Sequence, residues 1–363
     1  MRHPEHPPVS SFPRPARRGS VIIFVLGVIL LTAFLLTRLM DRASVELAAE
    51  SKANGRAAMR QEAFSGLEAS LAVLADYAAV DNGLHAVEQG WAHPLNEMHY
   101  LPAPGFTVDV TVEDETGKLS LPAADAATLR RYLAAIGCPT TSLDRLVDAL
   151  LEWTKSDHIA DTADSDTTNM ENAALPYQPP QRPLRSFEEL RAIPTFREIF
   201  IDEKGGWNDL ARRFFAGASV FQFSSSNTNS ISPDVLAAFG VEPNQAETVM
   251  HARLAPKSGT VFFGTMADLS AAWGQGTPPP GLGIDAICLH LKIAVKQGGR
   301  DYRLDAWAST GSASPAAAAP VQPAAENGTP GAQPDTTPSV RTSQRKKVDS
   351  PFNILELREN DGA

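Results

Sequence analysis

The sequence predicts an α+β protein in which a long N-terminal helix packs on a small antiparallel sheet and a large all-α domain is inserted between the strands. Three observations support this fold. Residues 16–93 contain no proline, so one helix can run through most of them. Apolar residues alternate with a period of two in residues 106–121 and 284–307, as they do in β-hairpins. The residues between these two regions show helical spacing instead.

The first part of the long helix is suited to a membrane. Residues 19–37 carry no charged side chain, and as a helix they would extend about 28 Å, which is enough to cross a bilayer. Arginines precede this run and mixed charges follow it, so the positive-inside rule places residues 1–18 in the cytoplasm and the bulk of the chain outside it. A cleaved secretory signal is the alternative, but residues 35–44 supply its small-residue cleavage site poorly.

The second part of the helix, which is predicted to end near Ala79, belongs to a soluble domain. Its apolar residues recur at steps of three and four, at Phe64, Leu67, Leu71, Leu74 and Ala78. Such a stripe is expected to pack on another part of the same protein.

Two hairpins follow from the alternating patterns. The first lies in residues 106–121 with its turn at residues 114–117, and the second lies in residues 284–307 with its turn at Gly298 and Gly299. Between the hairpins, helices are predicted at residues 124–136, 143–153, 186–193, 207–215, 232–239 and 245–253.

The end of the chain combines a linker with an apolar tail. Residues 308–340 are rich in Ala and Pro and hold almost no large apolar side chains. They can bury too little apolar surface to offset the loss of chain entropy on folding, so a disordered linker is predicted over residues 308–350. The tail, residues 351–363, contains Phe352, Ile354, Leu355 and Leu357. We expect it to dock on a sheet edge or groove, either of its own sheet or of a partner subunit. An inert, frayed terminus is the alternative.

Composition and charge disfavour several classes of function. The 363 residues hold 32 Lys and Arg against 42 Asp and Glu, a net charge of -10, which argues against a surface that coats nucleic-acid phosphates. No catalytic motif is present, and His93, His99 and His251 are isolated, so the chain is not expected to be an enzyme. Cys138 and Cys288 could form a disulfide or remain separately buried thiols, and the sequence leaves both possibilities open.

An acid-rich segment is the candidate metal site. Its carboxylates belong to Asp157, Asp161, Asp164, Asp166 and Glu171, and no Lys or Arg lies among them. Calcium needs several oxygen ligands, which a flexible acidic loop can supply. The spacing does not fit an EF-hand. A solvated loop that binds nothing is the alternative.

Four segments along the chain match the motifs of one known family. The first is Arg17-Arg18-Gly19-Ser20, directly before the apolar run. The others are DETGKLSL at residues 114–121, PYQPPQRPLRSFEELR at residues 176–191 and NTNSISPDVL at residues 227–236. In this order they resemble the K-type minor pseudopilins of type II secretion, also called general secretion pathway protein K. Within the second motif region, Ser120 and Pro122 replace two asparagines of the family pattern.

The resemblance implies a pilin-like fold and a role in assembly. A prepilin peptidase would cut after Gly19, and Ser20 would become an N-methylated amino terminus. Phe24 stands where most pilins have a glutamate, which suits a subunit with no neighbour above it at the filament tip. The alternative is that any membrane helix prefers Phe to Glu. Calcium sites in the helical insert are also implied, although Lys155 stands where the family has an acid.

The function predicted from this resemblance is that of a minor pseudopilin at the tip of the type II secretion pseudopilus, which initiates or caps assembly for protein export across the outer membrane. The chain is expected to cross the bacterial inner membrane once, with a cytoplasmic N-terminus and a periplasmic bulk. The expected partners are other minor pseudopilins, the prepilin peptidase, the inner membrane and secreted substrate proteins. The predicted regions are the leader 1–19, the transmembrane half-helix 20–37, the pilin-like helix and first strands 38–121, the helical insert 122–282, the last strands 283–307, the linker 308–350 and the tail 351–363.

Two other functions stay open. One is a minor type IV pilin. The other is a membrane-tethered extracytoplasmic nucleic-acid receptor, because residues 227–253 also resemble a helix-hairpin-helix. That hairpin has a single glycine, Gly240, and an acid, Glu242, where a phosphate would lie, so we expect no nucleic acid to bind there.

Overall fold

The structure, a computed structural model, describes residues 19–159, 166–171, 176–254, 261–274, 276–311, 314–315 and 351–362. The chain divides into two compact units, Met1–Ala58 and Met59–Ala363. Helix α1, Gly19–Val80, begins in the first unit and ends in the second. It confirms the long helix that was predicted from the absence of proline.

The remaining elements all lie in the second unit. After α1 the helices are α2 (Pro94–Glu97), α3 (Ala126–Ala135), α4 (Leu143–Thr154), α5 (Asp166–Glu171), α6 (Pro194–Phe200), α7 (Asp209–Gly217), α8 (Pro233–Ala238), α9 (Pro243–Leu254) and α10 (Met266–Trp273). Short 3₁₀ helices occur at Val87–Gln89, Glu115–Gly117, Thr140–Ser142 and Phe187–Ala192. The strands are β1 (Thr107–Asp114), β2 (Leu119–Ser120), β3 (Ala218–Ser219), β4 (Phe221–Gln222), β5 (Ser226–Asn227), β6 (Leu282–Gly283), β7 (Cys288–Gln297), β8 (Arg300–Ser309), β9 (Ser314–Pro315) and β10 (Asn353–Gly362).

A four-stranded sheet packs on the last part of α1. Its order is β1-β7-β8-β10, and each neighbouring pair is antiparallel. The predicted stripe on α1 faces this sheet, with Leu67 and Leu74 buried and the other members packed at the border of the same core. Gly66 brings the helix close, because a Cβ there would lie 3.1 Å from Val108 Cγ1. The long helix on a small antiparallel sheet is therefore confirmed.

A helical region is inserted between β2 and β7. It has its own apolar core, which is separate from the core between α1 and the sheet. Several aromatic side chains are completely buried in it, namely Tyr132, Phe196, Phe200, Phe214 and Phe263. The insert therefore folds around its own centre, as the helical periodicity of residues 122–282 predicted.

The first predicted hairpin is wrong. Strand β1 pairs with β7, while β2 pairs in parallel with β3. The turn between β1 and β2 is fixed by residues at the start of β7. The Thr116 hydroxyl accepts hydrogen bonds from the amides of Ile287 and Cys288 at 2.9 and 2.8 Å. The chain then leaves the sheet for the helical insert. The second predicted hairpin, β7 and β8, is confirmed, with Gly298 and Gly299 both at positive φ in its turn.

Two helices differ from the predictions. The segment predicted as a helix over residues 186–193 is a 3₁₀ helix, and a separate α-helix, α6, begins at Pro194. Proline has no amide hydrogen to continue the preceding turns, so the helix restarts there. Helix α10 was not predicted, although Thr265 and Asp268 form a reciprocal capping box at its start.

The C-terminal tail forms a strand. Strand β8 continues to Ser309, beyond the predicted end at residue 307, and β9 pairs with β4. Residues 316–350, most of the predicted linker, lie outside the described residues. The tail then forms β10 on the free edge of β8, which is docking on its own sheet. Cys138 and Cys288 are both buried and unbonded to each other.

Candidate membrane anchor and assembly site

The N-terminal part of α1 is an exposed apolar helix. Among the described residues, α1 is the one helix long and apolar enough to cross a membrane, and its most apolar stretch has a mean hydropathy of 2.6. Phe24 is 72% exposed on this stretch. Gly19 and Ser20, the predicted processing site, are the first two residues of α1. The helix thus offers an uncovered apolar surface directly after the predicted cleavage position.

A loop between α2 and β1 is fixed to α1 by a carboxylate. Glu62, on the helix, accepts a hydrogen bond from the Tyr100 hydroxyl at 2.8 Å and one from the Ala103 amide at 3.2 Å. Burial and this carboxylate raise the pKa of Tyr100 to about 12, so the hydroxyl keeps its proton and donates. The loop is held in one place while Leu101 is 89% exposed.

The sheet and the helical insert meet at a buried polar network around Asp114. One carboxylate oxygen accepts hydrogen bonds from Asn227 Nδ2 at 2.6 Å and from the Ser230 hydroxyl. The other accepts from the Thr116 amide at 2.8 Å. Burial raises the pKa of Asp114 to about 6, although these hydrogen bonds oppose the rise. The network joins the end of β1 to the segment that precedes α8.

Asn229 extends this network on the insert side. Its side-chain amide donates to the carbonyls of Phe263 and Ile284, at 3.1 and 3.0 Å, and accepts from the Phe263 amide at 2.8 Å. Asn227 and Asn229 are almost completely buried. Two of the motifs that carried the family resemblance, at residues 114–121 and 227–236, are therefore in contact and hold the two cores together.

The third motif is organised by Glu189. Its carboxylate accepts from Arg182 Nη1 at 3.2 Å, from the Arg185 amide at 2.9 Å and from Trp153 Nε1 at 3.3 Å. These contacts fix the segment at residues 176–191 against the end of α4.

The acid-rich segment is described only in part. Asp157 and Glu171 are exposed, and Asp166 is buried at the start of α5. Asp161 and Asp164 lie outside the described residues. Within the described residues, no three His, Cys, Asp or Glu side chains converge on a possible metal position.

Three contacts that the sequence did not reveal orient groups in or beside this segment. The Asp166 carboxylate accepts from the Thr195 amide and hydroxyl, both at 3.0 Å. Asp148, on α4, is buried and lies 3.1 Å from His158 Nε2. The Lys155 ammonium donates to the Ala124 carbonyl at 3.3 Å. Thr195 and Ala124 are far from the segment in sequence, so spacing alone could not have indicated their roles.

The fold and the exposed helix define a class of protein, a pilin-like protein with a helical region inserted into its sheet domain and an apolar N-terminal helix that can serve as a membrane anchor. Residues 110–202 match a protein-family model described as Type II secretion system (T2SS), protein K. The matched segment contains two of the four motifs from which the resemblance to this family was predicted.

The fold is similar to that of a protein solved in a complex. The match is to a crystal structure of the GspK-GspI-GspJ complex from the enterotoxigenic Escherichia coli type 2 secretion system. The two chains share 12% sequence identity at a TM-score of 0.53, and the match covers 86% of this chain and 99% of that chain. No curated protein matches the chain. At this identity the likeness establishes the fold, including the helical insert.

Proposed function

We propose that this chain is a minor pseudopilin at the tip of a type II secretion pseudopilus, where it initiates or caps the filament and functions by assembly without catalysis. The observation that carries the proposal is the helical insert with its own core, attached to a pilin-like helix and sheet. A subunit that repeats along a filament has a neighbour above and below it. A head of this size is most easily accommodated where the filament ends.

The partners we propose are other minor pseudopilins. The similar E. coli protein was solved with GspI and GspJ, which supports such a complex here. The exposed helix before Ala58 offers apolar side chains to neighbouring helices, and the fixed loop with Leu101 offers a second contact. The proposed location is the inner membrane, with one span, a cytoplasmic N-terminus and a periplasmic head.

The position in the filament can be tested by labelling the head. In cells that assemble long pseudopili, gold-labelled antibody against the insert should mark one end of each filament, and label along the length would contradict the proposal. The variant Phe24→Glu separates two causes. If the size of the head restricts the chain to the tip, the variant still labels the end. Label along the filaments of this variant would show that the missing glutamate is what excludes the native chain.

Processing tests the pilin-like amino terminus separately. In cells with a prepilin peptidase, the intact mass of the chain should correspond to loss of residues 1–19 and methylation of Ser20. Replacing Gly19 by Leu should leave the full-length chain, since the peptidase would need a small residue at the cut. A mass that shows cleavage near Ala43 in the native chain would instead indicate a secretory signal.

We also propose that the acid-rich segment binds calcium. The support is the density of carboxylates and the fixed position of Asp166, which the amide and hydroxyl of Thr195 hold at the start of α5. Asp157, Asp161, Asp164 and Glu171 would supply further oxygens. When bound, calcium would tie this segment to the rest of the insert and stabilise the folded state.

Calorimetry tests the calcium proposal. Full-length chain in detergent should release or absorb heat on calcium addition and should unfold at a higher temperature when saturated. Asp164→Ala and Glu171→Ala should weaken both effects. Asp202→Asn, in a distant acidic turn, is the matched control and should leave them unchanged. Absence of both heat and stabilisation at millimolar calcium would leave a solvated loop.

A further inference from the structure

Strand β10 is the last strand of the sheet, yet few of its side chains are buried. It pairs with β8 from Asn353 to Gly362. Phe352, directly before it, is 6% exposed and lies in the core between α1 and the sheet. By contrast, Ile354 and Leu357 remain 41% and 42% exposed. The strand is therefore held mainly by backbone pairing and one buried aromatic anchor.

The strand that β10 covers is long, Arg300–Ser309, and is anchored in the core by one of its faces. The β8 side chains of Tyr302, Leu304, Ala306 and Ala308 are completely buried. Without β10, the backbone amides and carbonyls along β8 would lose their partners, and a strand edge of this kind readily pairs with another chain.

Side-chain contacts fix the register of β10. Arg60, on α1, contacts the Glu359 carboxylate through Nε and Nη2 at 2.8–3.0 Å. The Arg358 guanidinium lies 4.8 Å from the centre of the Trp307 ring. Because each contact joins β10 to a different element, any occupant of the β8 edge must carry this spacing of Phe, Arg and Glu to reproduce them.

The connection between β8 and β10 does not require the strand to return to its own sheet. Ser309 and Asn353 are register partners, so a tight turn could have joined the strands, but the chain passes through β9 and residues 316–350 first. Forty-three residues, 310–352, separate these two register partners in the sequence. For loop closure that scales with length to the power 3/2, a connection of this length lowers the effective concentration of the strand at its own edge roughly 35-fold compared with a four-residue turn.

We propose that the edge of β8 is a strand-acceptor site, and that the C-terminal strand of a second copy of this chain can occupy it in exchange for the chain's own β10. The second copy carries the one described segment with the required register and anchor. We call the form in which β10 pairs with the β8 of its own chain the closed form. Exchange of an identical element between copies preserves every contact of this form. The exchanged form competes with the closed form when the local concentration of other copies is close to the effective concentration of a chain's own β10 at its β8 edge. That effective concentration is on the order of millimolar. Chains confined to the plane of one membrane would favour it.

Engineered cysteines can detect the exchange. Arg303 and Asn360 are register partners on β8 and β10, and both are exposed. Full-length Arg303→Cys and Asn360→Cys chains, carrying different affinity tags, are produced together in one membrane, solubilised in detergent and oxidised with copper phenanthroline. The double variant in a single chain reports the closed form through an internal disulfide. The parent chain gives the background from its buried native thiols.

The register control replaces Asn360→Cys with Glu356→Cys. Glu356 opposes Trp307, so its thiol would lie about 13 Å along the strand from position 303 and could not bond to it. The proposal predicts a covalent dimer carrying both tags, at several times the yield of this control, and absent from either single variant alone. An internal disulfide in the double variant with no dimer above the control would show that β10 stays on its own sheet and would overturn the proposal. Lack of any disulfide in the double variant would contradict the β8–β10 register itself.

Discussion

At the scale of single residues, the polar network around Asp114 decides how the two cores are joined. The Asp114 carboxylate is surrounded by donors from β5, from the segment before α8 and from the turn after β1. Burial outweighs these hydrogen bonds and raises its pKa from 3.8 to about 6. The folded protein therefore binds a proton in a range of pH where the unfolded chain has already lost it.

This proton should make the protein less stable as the pH rises. Between about pH 4 and pH 6 the folded state holds more protons at Asp114 than the unfolded state, so the free energy of unfolding falls through this window, by at most about 3 kcal/mol. Asp114→Asn, which has no such titration, should lack this component. Thermal unfolding of both full-length chains in detergent at pH 4 and pH 7 measures the difference. An equal pH dependence in the two chains would contradict the shift.

Thr116 provides a second test of the same junction. Its hydroxyl accepts from the amides of Ile287 and Cys288, and Thr116→Val would leave both amides buried without an acceptor. We expect the free energy of unfolding to fall by about 2–4 kcal/mol. Thr116→Ser keeps the hydroxyl and loses one methyl group, so it should cost only about 1 kcal/mol. Denaturant titrations of the two variants should separate these values, and equal losses would assign the effect to packing.

At the scale of elements, Gly66 sets the distance between α1 and the sheet. An added Cβ would lie 3.1 Å from Val108 Cγ1 and 3.7 Å from Val110 Cγ2. Gly66→Val adds two further methyl groups at this contact and should destabilise the protein by about 1–3 kcal/mol. In Gly66→Ala, the gain in helix propensity, up to about 1 kcal/mol, should offset the slight crowding. Thermal unfolding of the Gly66→Val and Gly66→Ala chains tests this prediction. An unchanged melting temperature in the Val variant would show that α1 can move away from the sheet, and would contradict it.

The elements that sequence patterns predicted are those whose signals are local. Helix α1 and the β7–β8 hairpin follow from a period of 3.6 or 2 and from Gly298 and Gly299 at the turn. Strand β2 pairs with β3 about a hundred residues away, as Leu119 opposite Ala218, so no local pattern could reveal it. The same holds for the site. The exposed apolar helix was predicted, whereas Glu62, Thr195 and the contacts of Asn227 depend on residues that only the fold brings together.

At the scale of the whole molecule, each of the two units carries a separate task. The helix before Ala58 carries the apolar surface that we propose for a membrane and for neighbouring helices. The second unit supplies a head with two cores, one between α1 and the sheet and one within the insert. This division explains why an acidic chain with a net charge of -10 can still contain one uninterrupted apolar segment.

The reactivity of the two cysteines tests the burial of the insert core, to which both belong. Cys138 and Cys288 are buried and unbonded, and burial raises the pKa of Cys138 to about 11 and that of Cys288 well above its usual range. The native chain should therefore react with almost no Ellman reagent at pH 8, and two thiols per chain should react after unfolding without reductant. Fewer than two thiols in the unfolded chain would indicate a disulfide.

A stack of side chains around the buried Trp307 also gives the molecule an optical signal. Trp307 lies between the His290 ring, whose centroid is 4.1 Å away at an interplanar angle of 11°, and the Arg358 guanidinium of β10. The light emitted by an indole depends on the groups against its ring, and the Arg358 guanidinium is one of these groups only while the C-terminal strand is in place. Trp307 is one of five tryptophans in the chain. With the other four replaced by Phe, its emission spectrum would report in real time whether the strand is bound, without any attached dye.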